Sequence, residues 1–558
     1  MAKLHLYPQP ADPVHESTAL LQPDGARPPP GLALAFSLLS SLCACSASDA
    51  VSLDYSAGPS ANANIAPLAP PGSSALPEPN LPAPADRDAA PSINPFVLVD
   101  HDPLSTFATD ADTASYDWFA RVVAEGGLPA PASVRLEDYV NYFQYAYPTP
   151  TADAEVPFSI SLAAARHPLG TATTLLRVGL QGKAAPEQEK KPANLTFLVD
   201  VSGSMQSDDK LPLVQQVLRQ TLELLEPEDT VSIVSYASDT RVRLEPTRVA
   251  ERAAIVRQID LLTAGGSTAG ASGIELAYAQ AQRGFLQGGI NHVILCTDGD
   301  FNVGPSSNQE LVALIAQKRR GGVTLTALGF GTDNLNDSML EAVSNAGNGF
   351  YGYIGSESQA ADYVHERMLS TLTLIAKDVK VQVELNPEHV LAYRLLGYED
   401  RAIADRDFRN DVVDAGEIGA GHRVTALYEL VLSGGSVPLA PDAPDASDGD
   451  SYQGQREIQA QELVRVKLRY KPVDAAASDP ALEVLSSLGP DAASDFAQAD
   501  SDLAWAFAVA AFAEILKGSP YANAGQLEAL DAIFAGQADR DPDRAAFYRL
   551  FRMARSQL

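Results

Sequence analysis

Residues Asn194–Met205 read NLTFLVDVSGSM, a hydrophobic run that ends on an aspartate and two serines spaced two apart. The apolar half, bounded by polar residues, predicts a buried β-strand. The half that follows predicts a tight turn in which Gly203 permits the reversal, so that Asp200, Ser202 and Ser204 aim at one point above the strand end. A carboxylate and two hydroxyls are hard oxygen donors and suit Mg²⁺, which takes octahedral oxygen coordination at about 2.0–2.1 Å and usually keeps some water. The turn taken alone is equally compatible with a structural role.

The segment from Asn194 to about Ala376 alternates strand and helix patterns. Strands are predicted at NLTFLVD, TVSIVSY, HVILCTD, VTLTALGF and GFYGYI, with helices between them at KLPLVQQVLRQTLELL, ERAAIVRQIDLL, GASGIELAYAQAQRGFL and NQELVALIAQKR. That order implies a mostly parallel, doubly wound sheet, whose ligand site lies where loops leave the carboxyl ends of the strands. Two more loops at such ends carry matching chemistry: GGSTAG with Thr268 and CTDGDFNVG with Asp298. Asp300, in the second of these, reads as an outer acceptor or as a loop-capping aspartate. Cys296 sits in an apolar strand and reads as a buried, inert thiol.

Asp200-Val-Ser202-Gly-Ser204, Thr268 and Asp298 resemble the metal-ion-dependent adhesion site of von Willebrand factor type A (VWA) domains. The phrases TDADTASY, LPLVQQVL, GGSTAGASGIELAY, TDGDFNVG and GFGTDNLNDSMLEAVSNAGNG extend the resemblance to bacterial VWA proteins of the YfbK type, from about Asn94 to the C-terminus. The resemblance implies that Ser202 and Ser204 ligate the ion directly, Thr268 directly or through water, and Asp200 and Asp298 largely through hydrogen-bonded waters. The implied ion is Mg²⁺, with Mn²⁺ or Ca²⁺ as substitutes. With few direct carboxylates around it, such an ion stays electrophilic and accepts an acidic side chain from a protein partner. The competing reading is a decayed site that keeps the loop without the metal.

On both sides of this segment the pattern changes. FSISLAAARH and TTLLRVGLQG before it, and VKVQVELNPEHVLAYRLLGYE, RVTALYELVLS and ELVRVKLRYKP after it, are strand-like. The fold class expected is α/β: a doubly wound, Rossmann-like VWA domain inserted in or flanked by a β-sandwich, with a C-terminal helical segment. LAWAFAVAAFAEILKG, AGQLEALDAIFAG and DRAAFYRLFRMARSQL predict those last helices. In TDADTASYDWFARVVAEGGLP, Asp110, Asp112 and Thr113 read as caps of a helix that Gly126-Gly127 terminates, in preference to metal ligands. The acidic run Ala440–Gln455 lacks EF-hand spacing and reads as a solvated loop.

At the N-terminus, GLALAFSLLSSLCAC (Gly31–Cys45) is an uncharged run of signal-peptide length. Its LCAC end resembles the bacterial lipobox, which makes Cys45 the lipidated residue and the membrane anchor. Ser46 after it, by the same resemblance, permits transfer to the outer membrane. A soluble secreted protein cleaved nearby is the competing reading. Residues 46–92 are rich in Pro, Ala, Ser and Gly and read as a tether. The expected organisation is a signal peptide with lipobox over 1–45, a linker over 46–92, a VWA-associated region over 93–192, the VWA domain over 193–376 and a β-rich then helical region over 377–558.

The chain has 558 residues, 71 acidic against 40 basic, for a net charge of −31, which argues against nucleic-acid partners. No H-E-x-x-H helix, G-x-S-x-G elbow or Walker loop occurs, and VHERM around His365 lacks a second histidine. The function expected is non-enzymatic, divalent-cation-dependent capture of a protein ligand at the bacterial cell envelope. The alternatives are an envelope scaffold or assembly factor whose metal site is structural, and, well behind it, a Mg²⁺-dependent hydrolase.

Overall fold

The computed structural model describes residues 92–558 apart from 110–111, 152, 185–190, 268–270, 300–307, 332–335, 369–372, 412, 414, 450–455 and 476–478. The expected signal peptide, Cys45 and the linker lie outside the described residues, as do Thr268 and Asp300.

The described residues open with two short strands, β1 (Val97–Leu98) and β2 (Leu104–Ala108), and two helices, α1 (Ala114–Ala124) and α2 (Leu136–Asn141). Two long strands follow, β3 (Phe158–Arg166) and β4 (Thr174–Gly182). The middle of the chain then runs through β5 (Ala193–Asp200), α3 (Leu211–Leu224), β6 (Thr230–Tyr236), β7 (Thr240–Arg248), α4 (Arg252–Asp260), α5 (Ala271–Arg283) and β8 (Ile290–Thr297). It ends with α6 (Asn308–Arg319), β9 (Thr324–Phe330), α7 (Asp337–Ala346), β10 (Tyr351–Ile354) and α8 (Glu357–Asp362). Its six strands lie in the order β10-β9-β8-β5-β6-β7, all parallel except β7, which runs antiparallel to β6.

Alternation along β5 explains why this sheet carries helices on both faces. Leu195, Phe197 and Val199 join the core beneath α3 and α4, while Leu198 joins the core beneath α5, α6 and α7. The polar members of the strand are satisfied inside: Thr196 Oγ1 pairs with Ser232 Oγ at 2.8 Å, and Asn194 Nδ2 donates to the Ala281 carbonyl at 2.8 Å. Cys296 is fully buried in the same sheet, and burial pushes its thiol up, as expected of an inert cysteine.

The strands after the insert are β11 (Leu374–Leu385), β12 (Val390–Leu396), β13 (Gly416–Gly419), β14 (Arg423–Leu432), β15 (Val464–Pro472), β16 (Leu482–Leu488) and β17 (Ala493–Ser494). They combine with the early strands into two sheets, β1-β12-β14-β4-β3-β17 and β13-β11-β15-β16, the second extended by β2 beside β11. The decisive pairing is β4 with β14, antiparallel from Thr174↔Leu430 to Gln181↔Arg423. It joins chain from before the doubly wound unit to chain from after it, so that unit is inserted into a β-sandwich. Leu176, Val178 and Leu180 of β4 meet Val381, Val383 and Leu385 of β11 and Val464, Val466 and Leu468 of β15 in the core between the sheets.

Three helices close the chain: α9 (Ser501–Lys517), α10 (Leu527–Ala535) and α11 (Pro542–Arg555). With α1 and α2 they cover the outer face of the first sandwich sheet, around Ala165, Leu175, Leu396 and Leu427. Trp505 at the centre meets Phe143, Phe534 and Phe547 edge-on. Among the described residues no helix is long and apolar enough to cross a membrane. The Asp500 carboxylate caps α9, accepting from Asp502 and Leu503 N–H groups, and Gly518 ends it with φ +72°.

Asp112 and Thr113 do not perform the capping expected of them, and Asp110 lies outside the described residues. Thr113 stands at the N-cap but makes no capping bond, and its hydroxyl donates instead to Asp117 at 3.1 Å. Asp112 accepts from the Tyr351 N–H at 2.9 Å and faces Arg401 at 3.4 Å, so it ties the host to β10 of the insert. A tertiary contact has displaced the local one. The Gly126-Gly127 termination holds, with Gly126 at φ +88° just past the helix.

A buried ion-pair network joins the sandwich to α9. Arg394 of β12 reaches Glu429 of β14 at 2.9 Å and Glu514 of α9 at 3.0 Å, and His167 lies 3.2 Å from Glu429. Burial alone would raise the Glu429 carboxyl, but Arg394 and then His167 outweigh it and hold its pKa down at about 2, against an ordinary 4.5. A depressed carboxylate contributes stability above its unfolded pKa and loses it as pH falls through the folded value. Glu429→Gln is therefore expected to be less stable than the parent at pH 7 by roughly 3 kcal/mol, with the difference shrinking between about pH 4.5 and pH 2. Urea unfolding of both proteins across that range checks it; a pH-independent difference would contradict it.

Candidate functional site

In the inserted sheet, β5 leads through α3 to β6 on one side, while β8, β9 and β10 lie on the other. The direction of winding reverses between β5 and β8, and the carboxyl ends of strands at such a switch point are where open α/β sheets place their ligands. Asp200 is the last residue of β5, and Asp298 immediately follows β8. Both side chains are fully buried.

Asp200 is held at both oxygens. Oδ1 accepts from the Ser202 N–H at 2.8 Å and Oδ2 accepts from the Thr297 hydroxyl at 3.1 Å. Burial raises its pKa to about 6, against the lowering effect of the Ser202 bonds and with a smaller upward contribution from Asp298. The turn after Asp200 places Ser202 Oγ 2.9 Å from Ser204 Oγ, while Met205 buries its side chain completely and anchors the turn. Ser204 is half-buried.

Neighbouring loops fix this turn through the backbone. Val201 N–H donates to the Tyr236 carbonyl at 3.0 Å, Gly265 N–H to the Val201 carbonyl at 2.8 Å, and Gly203 N–H to the Gly266 carbonyl at 2.9 Å. Gly266, at φ +90°, has Ser238 Oγ where a Cβ would sit, 2.5 Å away, and the Ser238 hydroxyl in turn receives the Ser267 N–H at 2.9 Å. The loop that leads to Thr268 is thus latched to both the Asp200 turn and the end of β6.

These residues fit a small, hard divalent cation. The 2.9 Å between the two serine hydroxyls is also about the edge of an octahedron with 2.0–2.1 Å bonds. Two fully buried carboxylates supply the negative charge that would balance such an ion. Among the described residues no three carboxylate, imidazole or thiol groups converge as a ligand set. The donors brought together here are Asp200, Ser202, Ser204 and Asp298, a set in which hydroxyls matter as much as carboxylates.

Comparison with known proteins agrees with this architecture. The family description "von Willebrand factor type A domain" matches residues 194–366, "von Willebrand factor" matches 86–177, and "Uncharacterized protein YfbK, C-terminal" matches 370–557. YfbK of Escherichia coli K12 is 38% identical over 470 residues, spanning 83% of this chain and 80% of its own. The chain belongs to the YfbK family of VWA-domain proteins. A Synechocystis protein, sll0103, is 28% identical over 222 residues, 40% of this chain and 52% of its own. The solved structure of a von Willebrand factor type A protein from Catenulispora acidiphila covers 69% of this chain and 83% of its own at 18% identity, with a TM-score of 0.40.

Two polar residues of this YfbK-family site are absent from the sequence reading. Thr297 orients Asp200, and only the parallel register of β5 with β8 brings it there. Lys210, just ahead of α3, places Nζ 3.0 Å from Asp298 Oδ2. Its position inside the expected helix KLPLVQQVL hides it, although a lysine six residues after the last serine of the turn is the one available signal. His365 lies in the π-helical turn Tyr363–Met368 beyond α8.

The latch makes one clear demand on sequence. Gly266→Ala forces a side chain into a left-handed backbone and against Ser238, and is expected to cost about 1–3 kcal/mol of stability. Urea unfolding measures the loss, and an unchanged midpoint would show that the latch does not constrain the loop.

Proposed function

We propose that this protein binds a protein ligand through a divalent cation, Mg²⁺ in the first instance, held by Ser202, Ser204, Thr268, Asp200 and Asp298. The observation that carries the reading is the pairing of two adjacent serine hydroxyls with a fully buried, doubly hydrogen-bonded Asp200 at the switch point of the sheet. When bound there, the ion supplies an electrophilic coordination position for a carboxylate oxygen of the partner. Asp200 holds the turn that sets the two hydroxyls side by side, with Ser202 buried and Ser204 half-buried. Binding of protein partners is the common activity of VWA domains and supports a non-enzymatic role.

The protein acts, in this reading, at the bacterial cell envelope, lipid-anchored through Cys45 and raised from the outer membrane by the Pro-rich segment before residue 93. That part rests on the LCAC motif and the composition of residues 46–92. Acid labelling with radioactive palmitate, followed by mass spectrometry of the mature N-terminus, tests it: acylation at Cys45 is expected, and an unmodified N-terminus elsewhere would remove the anchor.

The metal reading is tested by calorimetric titration of the purified protein with MgCl₂ beside an Asp200→Ala/Ser202→Ala variant of matching circular dichroism. Saturable binding is expected in the parent and none in the variant. Identical traces would reduce the motif to loop architecture and favour a scaffold function carried by the sandwich and helical surfaces.

A further inference from the structure

Lys210 is placed where a lysine is costly. Its side chain is 4% exposed, and Asp298, its partner at 3.0 Å, is fully buried. A lysine this close to a surface loop would ordinarily extend its ammonium into water. Here the stem is led inward across the end of β9, over Gly331. A Cβ on Gly331 would overlap Cε of Lys210 and lie 2.8 Å from its Cγ, and Gly331 itself has φ +75°. Two positions distant in sequence, Lys210 and Gly331, are thus committed to delivering one positive charge to one carboxylate of the candidate metal centre.

The other carboxylate, Asp200, is bound instead by a backbone N–H and a hydroxyl. The centre is therefore electrostatically asymmetric, with neutral donors around Asp200 and a fixed ammonium against Asp298. A cation so placed has two consequences. It offsets part of the cost of burying the Asp298 carboxylate while no metal is bound. It would also repel a divalent ion held by these donors, in surroundings where charge interactions are stronger than in water.

We propose that Lys210 is a positioning residue that serves as an internal counter-cation: it keeps Asp298 in place in the metal-free protein and sets the centre's affinity for a divalent ion below what its donors alone would give. The inference rests on the metal-binding reading above. Its functional meaning is that the ion is held weakly until a partner carboxylate adds a further negative ligand, so that ion and partner bind cooperatively and each strengthens the other by the same factor.

The test compares the purified full chain with Lys210→Met, Lys210→Gln and Lys210→Met/Asp298→Asn, by thermal unfolding in EDTA and by calorimetric titration with MgCl₂. Lys210→Met is expected to lower the unfolding midpoint in EDTA, and the added Asp298→Asn to recover most of that loss, because the buried carboxylate is then neutral. Lys210→Gln, which keeps a donor near Asp298 without the charge, guards against failure of the Met variant to fold. Both single variants are expected to bind Mg²⁺ at least tenfold more tightly than the parent. Parent binding with equal or weaker binding in the variants overturns this inference and leaves the metal centre standing. Binding in the variants alone also supports the inference, since it shows that Lys210 holds the native centre below measurable affinity while no partner carboxylate is present. Absence of binding in all of them overturns both.

Discussion

Asp200 and Asp298 are buried completely at the carboxyl ends of neighbouring strands, and the site is organised around the cost of keeping two carboxylates there. Each is compensated by a different device. Asp200 receives a backbone N–H from its own turn and a hydroxyl from β8, whereas Asp298 receives an ammonium from the start of α3. Neither device works without the parallel register of β5 and β8, which sets Val199 beside Cys296 and so brings the two strand ends level. The register in turn depends on the alternation of Leu195, Phe197 and Val199 against Leu198, since a slip of one residue would exchange the two helical faces.

The host holds the insert by more than its two chain crossings. The helix α1 places Trp118 edge-on against Tyr353, 5.4 Å between ring centres, and the Asp112 carboxylate accepts from the edge strand β10. Arg135 of the host pairs with Asp337 and Glu341 of α7, Arg401 with Glu341, and Arg367 with Asp117 of α1. An edge strand with open hydrogen-bonding groups is a liability, and this one is covered. The opposite edge, β7, is managed by composition: TRVRLEPTR carries three arginines, a glutamate and a proline, which discourage pairing with a further strand.

Much of this was readable because strong periodicity and short motifs coincide. TVSIVSY and TTLLRVGLQG contain the strands Thr230–Tyr236 and Thr174–Gly182, and the apolar stretch beginning at Leu503 forms one buried helix. What escaped is instructive. The strand β7 is amphipathic and charged, and a solvent-facing edge strand presents too little apolar surface to register as one. Asp112 and Thr113 stand where caps belong, yet Asp112 serves the Tyr351 amide, because a buried edge N–H is costlier to leave unpaired than a helix end partly open to water. Lys210 sits at a helix start among residues that look like ordinary surface polarity.

The sequence alone determined most of the order of elements, the doubly wound unit, the flanking β-pattern and the oxygen donors Asp200, Ser202, Ser204 and Asp298, since each depends on residues close together in the chain or on a strand-end motif. Tertiary structure alone decided that β4 pairs with β14 to make one sandwich around the insert, that Thr297 orients Asp200, and that Lys210 reaches Asp298 over Gly331. Those outcomes join positions 88 to 256 residues apart, as from Lys210 to Asp298 or from Thr174 to Leu430. Local propensity contains no term for such pairs. They are set by which buried charges and backbone groups must find partners once the sheets have closed.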